Sequence, residues 1–128
     1  MSERHETARP VVLLVEEETH ELDAIKAYLE GEGFAVVGSS TSDEAMEQVE
    51  TRSDLRAVVT DAHVPGRIDG VELAQMIRMR WPHLALVMTS GHSDAQSGRL
   101  PDGAVFINKP NLLEYLAPTL HRMIQAPS

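Results

Sequence analysis

Val11-Val12-Leu13-Leu14-Val15-Glu16-Glu17-Glu18 is five apolar residues followed at once by three carboxylates. A run this short, without alternation and bounded by charge, reads as a strand covered on both faces. Three later runs close in the same manner. Leu55-Arg56-Ala57-Val58-Val59-Thr60 ends on Asp61, and Leu84-Ala85-Leu86-Val87-Met88 ends on Thr89-Ser90. Ala104-Val105-Phe106-Ile107-Asn108 ends on Lys109-Pro110. As neighbouring parallel strands, the four would gather their endings at the carboxyl edge of one sheet, where open α/β folds bind ligands. Acids, a hydroxyl and one amine are the groups that a divalent cation and a phosphoryl group require.

Helix-like segments separate the strands. Leu22, Ile25 and Leu29 recur at helical spacing until Gly31 and Gly33 stop the pattern. Phe34-Ala35-Val36-Val37-Gly38 is the second strand, and Thr41-Ser42-Asp43-Glu44 reads as a capping box opening a helix with Ala45, Met46 and Val49 inward. A turn-rich loop runs from Ala62 to Gly70; Asp69 caps the next helix, with Leu73, Met76 and Ile77 on its buried face. Trp81-Pro82 ends that helix, because the residue before a proline avoids the helical region. Gly91 to Asp102 is poor in apolar residues and predicts a short, marginal fourth helix. The last helix is expected from about Leu112 to Ile124, with a kink or a late start at Pro118. Five β-α units give a parallel sheet with right-handed crossovers and helices on both faces. Strand order 2-1-3-4-5 is the expectation among the windings open to such a chain.

Composition bounds the function. The 128 residues fit one domain with a single core, read as a flexible tail over 1–9 and a domain over 10–126. A net charge of −9 disfavours nucleic acid and anionic lipid as partners. There is no cysteine, so neither disulfides nor thiolate chemistry enter. The polar start lacks the apolar stretch of a signal peptide, and no run approaches the ~20 residues of a membrane helix. A cytoplasmic protein is the expectation. The six histidines are scattered without metal-ligand spacing.

The residues resemble the receiver domains of two-component response regulators over nearly the whole chain, from Val11 to about Ile124. The motifs are an acidic pair after the first strand, Asp61, a Thr or Ser after the fourth strand, and Lys109-Pro110 after the fifth. Asp61-Ala62-His63-Val64-Pro65, Asp69-Gly70-Val71-Glu72-Leu73-Ala74 and Thr89-Ser90-Gly91-His92 also look like single-domain receivers, which carry no output domain. The resemblance implies a flavodoxin-like (βα)5 fold with Asp61 as phosphoacceptor. It implies Mg²⁺ or Mn²⁺ held by Glu16, Glu17, Asp61 and the backbone carbonyl of His63, with Lys109 and Thr89 meeting phosphoryl oxygens. Thr89 and Phe106 match the family's switch pair, which reshapes the face of the fourth helix, fifth strand and fifth helix. The phosphoryl donor would be the phosphohistidine of a sensor histidine kinase or a phosphotransfer protein. Output would pass to a downstream protein from a monomer or weak homodimer. Such a chain is a phosphoacceptor that promotes its own phosphorylation and dephosphorylation, not an enzyme acting on a separate substrate.

Departures from the pattern set the alternatives. Glu17 stands where the family usually has Asp, and Mg²⁺ tolerates misplaced ligands badly. Metal binding would weaken, pass through water, or shift to Glu16. Val64 replaces a usual Met, the Pro65 to Gly70 turn is one residue longer than in many receivers, and Ser90 stands where Ala is common. His63 and His92 flank the site by position. The competing function is an unphosphorylated pseudo-receiver acting as a protein-interaction module. A flavodoxin-type phosphate loop is excluded by the three glutamates, a P-loop is absent, and a haloacid-dehalogenase-like phosphatase needs Asp after the first strand.

Overall fold

In the computed structural model, which describes residues 9–91 and 100–125, the alternation closes into one five-stranded parallel sheet. The strands are β1 (Val11–Val15), β2 (Ala35–Ser39), β3 (Leu55–Asp61), β4 (Ala85–Ser90) and β5 (Val105–Asn108). Their order is β2-β1-β3-β4-β5, as the sequence predicts. The helices are α1 (Thr19–Gly31), α2 (Ser42–Thr51), α3 (Gly70–Arg80) and α4 (Leu112–Gln125). A 3₁₀ turn, Lys109–Asn111, leads from β5 into α4. The helix expected between Gly91 and Asp102 falls largely on 92–99, outside the described residues, as do His92 and the tail residues 1–8.

Strand alternation divides the core between the two faces of the sheet. Val12 and Leu14 of β1, Ala57 and Val59 of β3, Val87 of β4 and Ile107 of β5 pack with Ile25 and Leu29 of α1 and Leu116 and Leu120 of α4. The intervening Leu13, Val15, Val58, Leu86 and Met88 pack with Ala45 and Val49 of α2 and Leu73, Ala74 and Ile77 of α3. Burial on both faces explains why β1, β3 and β4 are almost wholly apolar before their polar ends, the exposed Arg56 near the start of β3 excepted.

Local chemistry sets the helix starts. Asp69 and Glu72 form a reciprocal capping box at α3, with Glu72 N–H donating to Asp69 Oδ1 at 2.8 Å and Asp69 N–H to Glu72 Oε1 at 3.1 Å. At α2 the expected box is only half made. Thr41 Oγ1 accepts from Glu44 N–H at 3.0 Å, but Glu44 Oε1 accepts from Ser40 N–H at 2.9 Å, one residue before the cap. Met76, expected inward, is 39% exposed; Leu73, Ala74 and Ile77 complete the buried stripe and leave it at the edge. Met46 is partly buried and Met88 fully so, in line with core packing.

The late start expected at Pro118 does not occur, since α4 begins at Leu112 and carries Pro118 within it. Pro118 lies on the exposed side, where water can reach the Glu114 carbonyl left without an amide. Just before it, Ala117 N–H donates to the Tyr28 hydroxyl of α1 at 3.0 Å. Tyr28→Phe removes that acceptor and is expected to lower stability by about 1 kcal/mol, measured by urea denaturation.

Candidate functional site

The same alternation collects the chemistry-bearing residues. Asp61 lies two residues beyond Val59, Thr89 two beyond Val87, Glu16 two beyond Leu14 and Lys109 two beyond Ile107. All four therefore fall on the face that α1 and α4 cover, at the carboxyl edge of the sheet. Asp61 and Thr89 are register partners on neighbouring strands, which puts their side chains abreast. Both are buried.

The backbone fixes each group. Ala62 N–H donates to Thr89 O at 2.8 Å, continuing the β3–β4 ladder one residue beyond Asp61. Asp61 Oδ1 then accepts from His63 N–H at 3.0 Å, an Asx-type contact that turns the chain out of the sheet. On β1, Glu16 N–H donates to Ser39 O at 2.9 Å while its Oε2 accepts from Glu18 N–H at 3.1 Å. Glu18 caps α1 by accepting from Glu21 N–H at 3.0 Å. Pro110, in the first turn after β5, ends that strand just where Lys109 leaves it.

Lys109 joins these elements. Its Nζ lies 2.8 Å from Asp61 Oδ2, 3.0 Å from Glu16 Oε1 and 2.6 Å from Glu21 Oε1. An ammonium has three N–H donors, so these carboxylates saturate it. Burial pulls the Lys109 pKa down, but the hydrogen bonds to Asp61, Glu21 and Glu16 outweigh that and raise it above the ordinary 10.5. Burial raises the Glu16 pKa above 4.5, opposed by the bonds from Lys109 and the Glu18 backbone and reinforced by the charge of Asp61.

Beside Asp61 an open cavity of ≈ 430 Å³ is lined by Glu21, Asp61, His63, Gly91 and Lys109. That is room for a small anionic group and hydrated cation. Among the described residues no three acid or imidazole side chains gather as a ready-made metal cage. Asp61 and Glu21 are the carboxylates that line the cavity, while Glu16 meets Lys109 with Oε1 and the Glu18 N–H with Oε2. Carboxylate oxygens are the hard donors that Mg²⁺ takes while keeping several of its waters. Glu17 is exposed and is not among the partners of Lys109. Phe106 is half-buried on the opposite face of the sheet, against the α2–α3 side of the core. It also lines a surface cavity of ≈ 300 Å³ with Tyr115 and Thr119.

One member of the site was not foreseen. Glu21 reads in sequence as an ordinary acid in the first turn of a helix. The available signal was its place three residues after the capping Glu18, which sets it at the rim where β1 delivers its acids.

A family model described as the response regulator receiver domain matches residues 12–118. The hydrogenase transcriptional regulatory protein HoxA of Cupriavidus necator is 29% identical over 119 residues, 90% of this chain and 24% of that protein. The sensor kinase CckA of Brucella abortus is 29% identical over 119 residues, 90% of this chain and 12% of that one. The chain thus spans a quarter or less of these two relatives. A response regulator receiver domain protein from Clostridium thermocellum superposes with TM-score 0.80 at 26% identity, over 90% of this chain and 94% of that one. A receiver protein from Sinorhizobium medicae, at TM-score 0.85 and 24% identity over 92% and 96% of the two chains, shares the fold. Receiver domains are phosphoacceptors that generally take Mg²⁺ at an acidic pocket and interact with histidine kinases and downstream effectors. No helix among the described residues is long and apolar enough to cross a membrane.

Proposed function

Because the chain belongs to the response regulator receiver family, we propose that Asp61 accepts a phosphoryl group from a phosphohistidine on a sensor histidine kinase or phosphotransfer protein. The unit that does so spans residues 10–126 and works in the cytoplasm. The observation that carries this reading is the Lys109 ammonium 2.8 Å from the Asp61 carboxylate, with a cavity open beside both. A carboxylate oxygen of Asp61 forms the new O–P bond as the donor's P–N bond breaks, and the departing imidazole takes the electron pair. The obstacle is repulsion between a carboxylate and a dianionic phosphoryl group. Mg²⁺ or Mn²⁺, held by Asp61, Glu16, the His63 carbonyl and water, would supply charge neutralisation there. Lys109 meets one phosphoryl oxygen with its positive charge, and Thr89, abreast of Asp61, offers its hydroxyl to another.

Thr89 moves toward the phosphoryl group, and Phe106 turns into the space that this opens. Phe106 carries no hydroxyl, so packing alone biases its position. The surface of β5 and α4 then changes shape for a downstream protein partner. The test is incubation with acetyl phosphate and Mg²⁺, read by intact mass. The expected result is a gain of about 80 Da that Asp61→Asn abolishes. Absence of the gain in the wild type would favour the second reading, a pseudo-receiver that binds partners through a fixed surface. That reading draws on Glu17, which is exposed where the family usually keeps an aspartate ligand.

A further inference from the structure

Saturation of Lys109 has a kinetic consequence. To meet a phosphoryl oxygen, an ammonium with three carboxylate partners must release one of them. Asp61 is the group being modified and stays beside the lysine. The Glu16 side chain is 4% exposed and its Oε2 is fixed by the Glu18 N–H, so it has little room to swing away from the lysine. The Glu21 side chain is 47% exposed and can turn into water. It also lines the cavity that an incoming phosphoryl group would enter.

We propose that Glu21 is a positioning residue that holds Lys109 in the unphosphorylated chain and yields it when Asp61 is phosphorylated, so that its carboxylate slows phosphoryl uptake. The inference rests on the phosphoacceptor reading of Asp61. Glu21→Gln keeps the size of the side chain and its place in the first turn of α1 but removes the charge. With acetyl phosphate and Mg²⁺, its rate of mass gain is expected to exceed the wild-type rate by about 3- to 10-fold at low ionic strength. The ratio should shrink toward one in molar salt, because the contact is partly exposed and screened. In a Lys109→Met background the same substitution should change the rate by less than about twofold, since the group it acts through is gone.

A merely structural role at the start of α1 would shift the melting temperature and leave the rate ratio indifferent to salt and to Lys109. Equal rates for wild type and Glu21→Gln, in chains that both gain mass, overturn the inference and leave the phosphoacceptor reading intact. A ratio that persists in the Lys109→Met background also overturns it, by placing the effect outside the lysine. A wild type that gains no mass removes the reading beneath it, and the inference falls with that reading.

Discussion

Gly70→Ala is expected to destabilise the chain by about 3 kcal/mol, the upper end of what an overpacked core costs. A Cβ at Gly70 would stand 1.9 Å from the Asp61 carbonyl oxygen and 2.9 Å from Ala62 Cα. Both obstacles are backbone, so no rotamer change relieves them. The start of α3 must then move off the end of β3, which also breaks the bond from Gly70 N–H to Ala62 O at 3.1 Å. For a chain of this length the shift corresponds to a fall of roughly 10 °C in melting temperature, measured by calorimetry. Gly31→Ala is the control. Nothing lies within 4 Å of its Cβ position and it sits in the last turn of α1, so stability should hold or rise slightly. A Gly70→Ala chain as stable as the wild type would mean that the α3–β3 junction is looser than the packing requires. The same junction holds the backbone turn that aims Asp61, so the substitution should also slow phosphoryl uptake.

The fold was legible because its strands are short and mostly apolar, and four of them are stopped by a chemically distinct residue. Those stops located Glu16, Asp61, Thr89 and Lys109, and strand alternation then fixed them to one face of the sheet without any appeal to side-chain contact. Less legible were choices made among near-equivalent partners. Glu44 had two amides within reach and bonds Ser40 in place of Thr41. Met76 lies one position off the inward stripe, where a flexible side chain tolerates partial exposure. Pro118 stays inside α4 because its side of the helix faces water, which local sequence does not state. Glu21 was invisible for a similar reason. An acid in the first turn of a helix is favoured by the helix dipole alone. Only the arrival of Lys109 from a distant strand gives it a second role.

Lys109→Met is expected to cost about 2 kcal/mol near neutral pH, less than a fully buried pair because the Lys109 side chain is 20% exposed. Its loss leaves Glu16 and Asp61 as neighbouring carboxylates without a cation. The pH dependence separates this from a packing defect. In the wild type the Lys109 pKa is raised by folding, so the native state holds that proton more tightly than the unfolded chain. Its contribution is therefore complete below 10.5 and is lost as pH rises beyond that value. The Lys109→Met chain should lack this alkaline loss. In its place Glu16, already raised above 4.5 by burial, loses the lysine bond that opposed the rise and shifts further upward. A raised acid favours the native state while protonated, so the variant should gain stability on acidification toward 4.5, where the wild type gains less. Excess Mg²⁺ should raise the melting temperature of Lys109→Met more than that of the wild type, because no ammonium competes for the two carboxylates. Melting curves across pH, with and without the cation, make the measurement. Parallel wild-type and variant curves would mean that the ammonium does not neutralise the pocket, and the role given to Lys109 in phosphoryl binding would lose its physical basis.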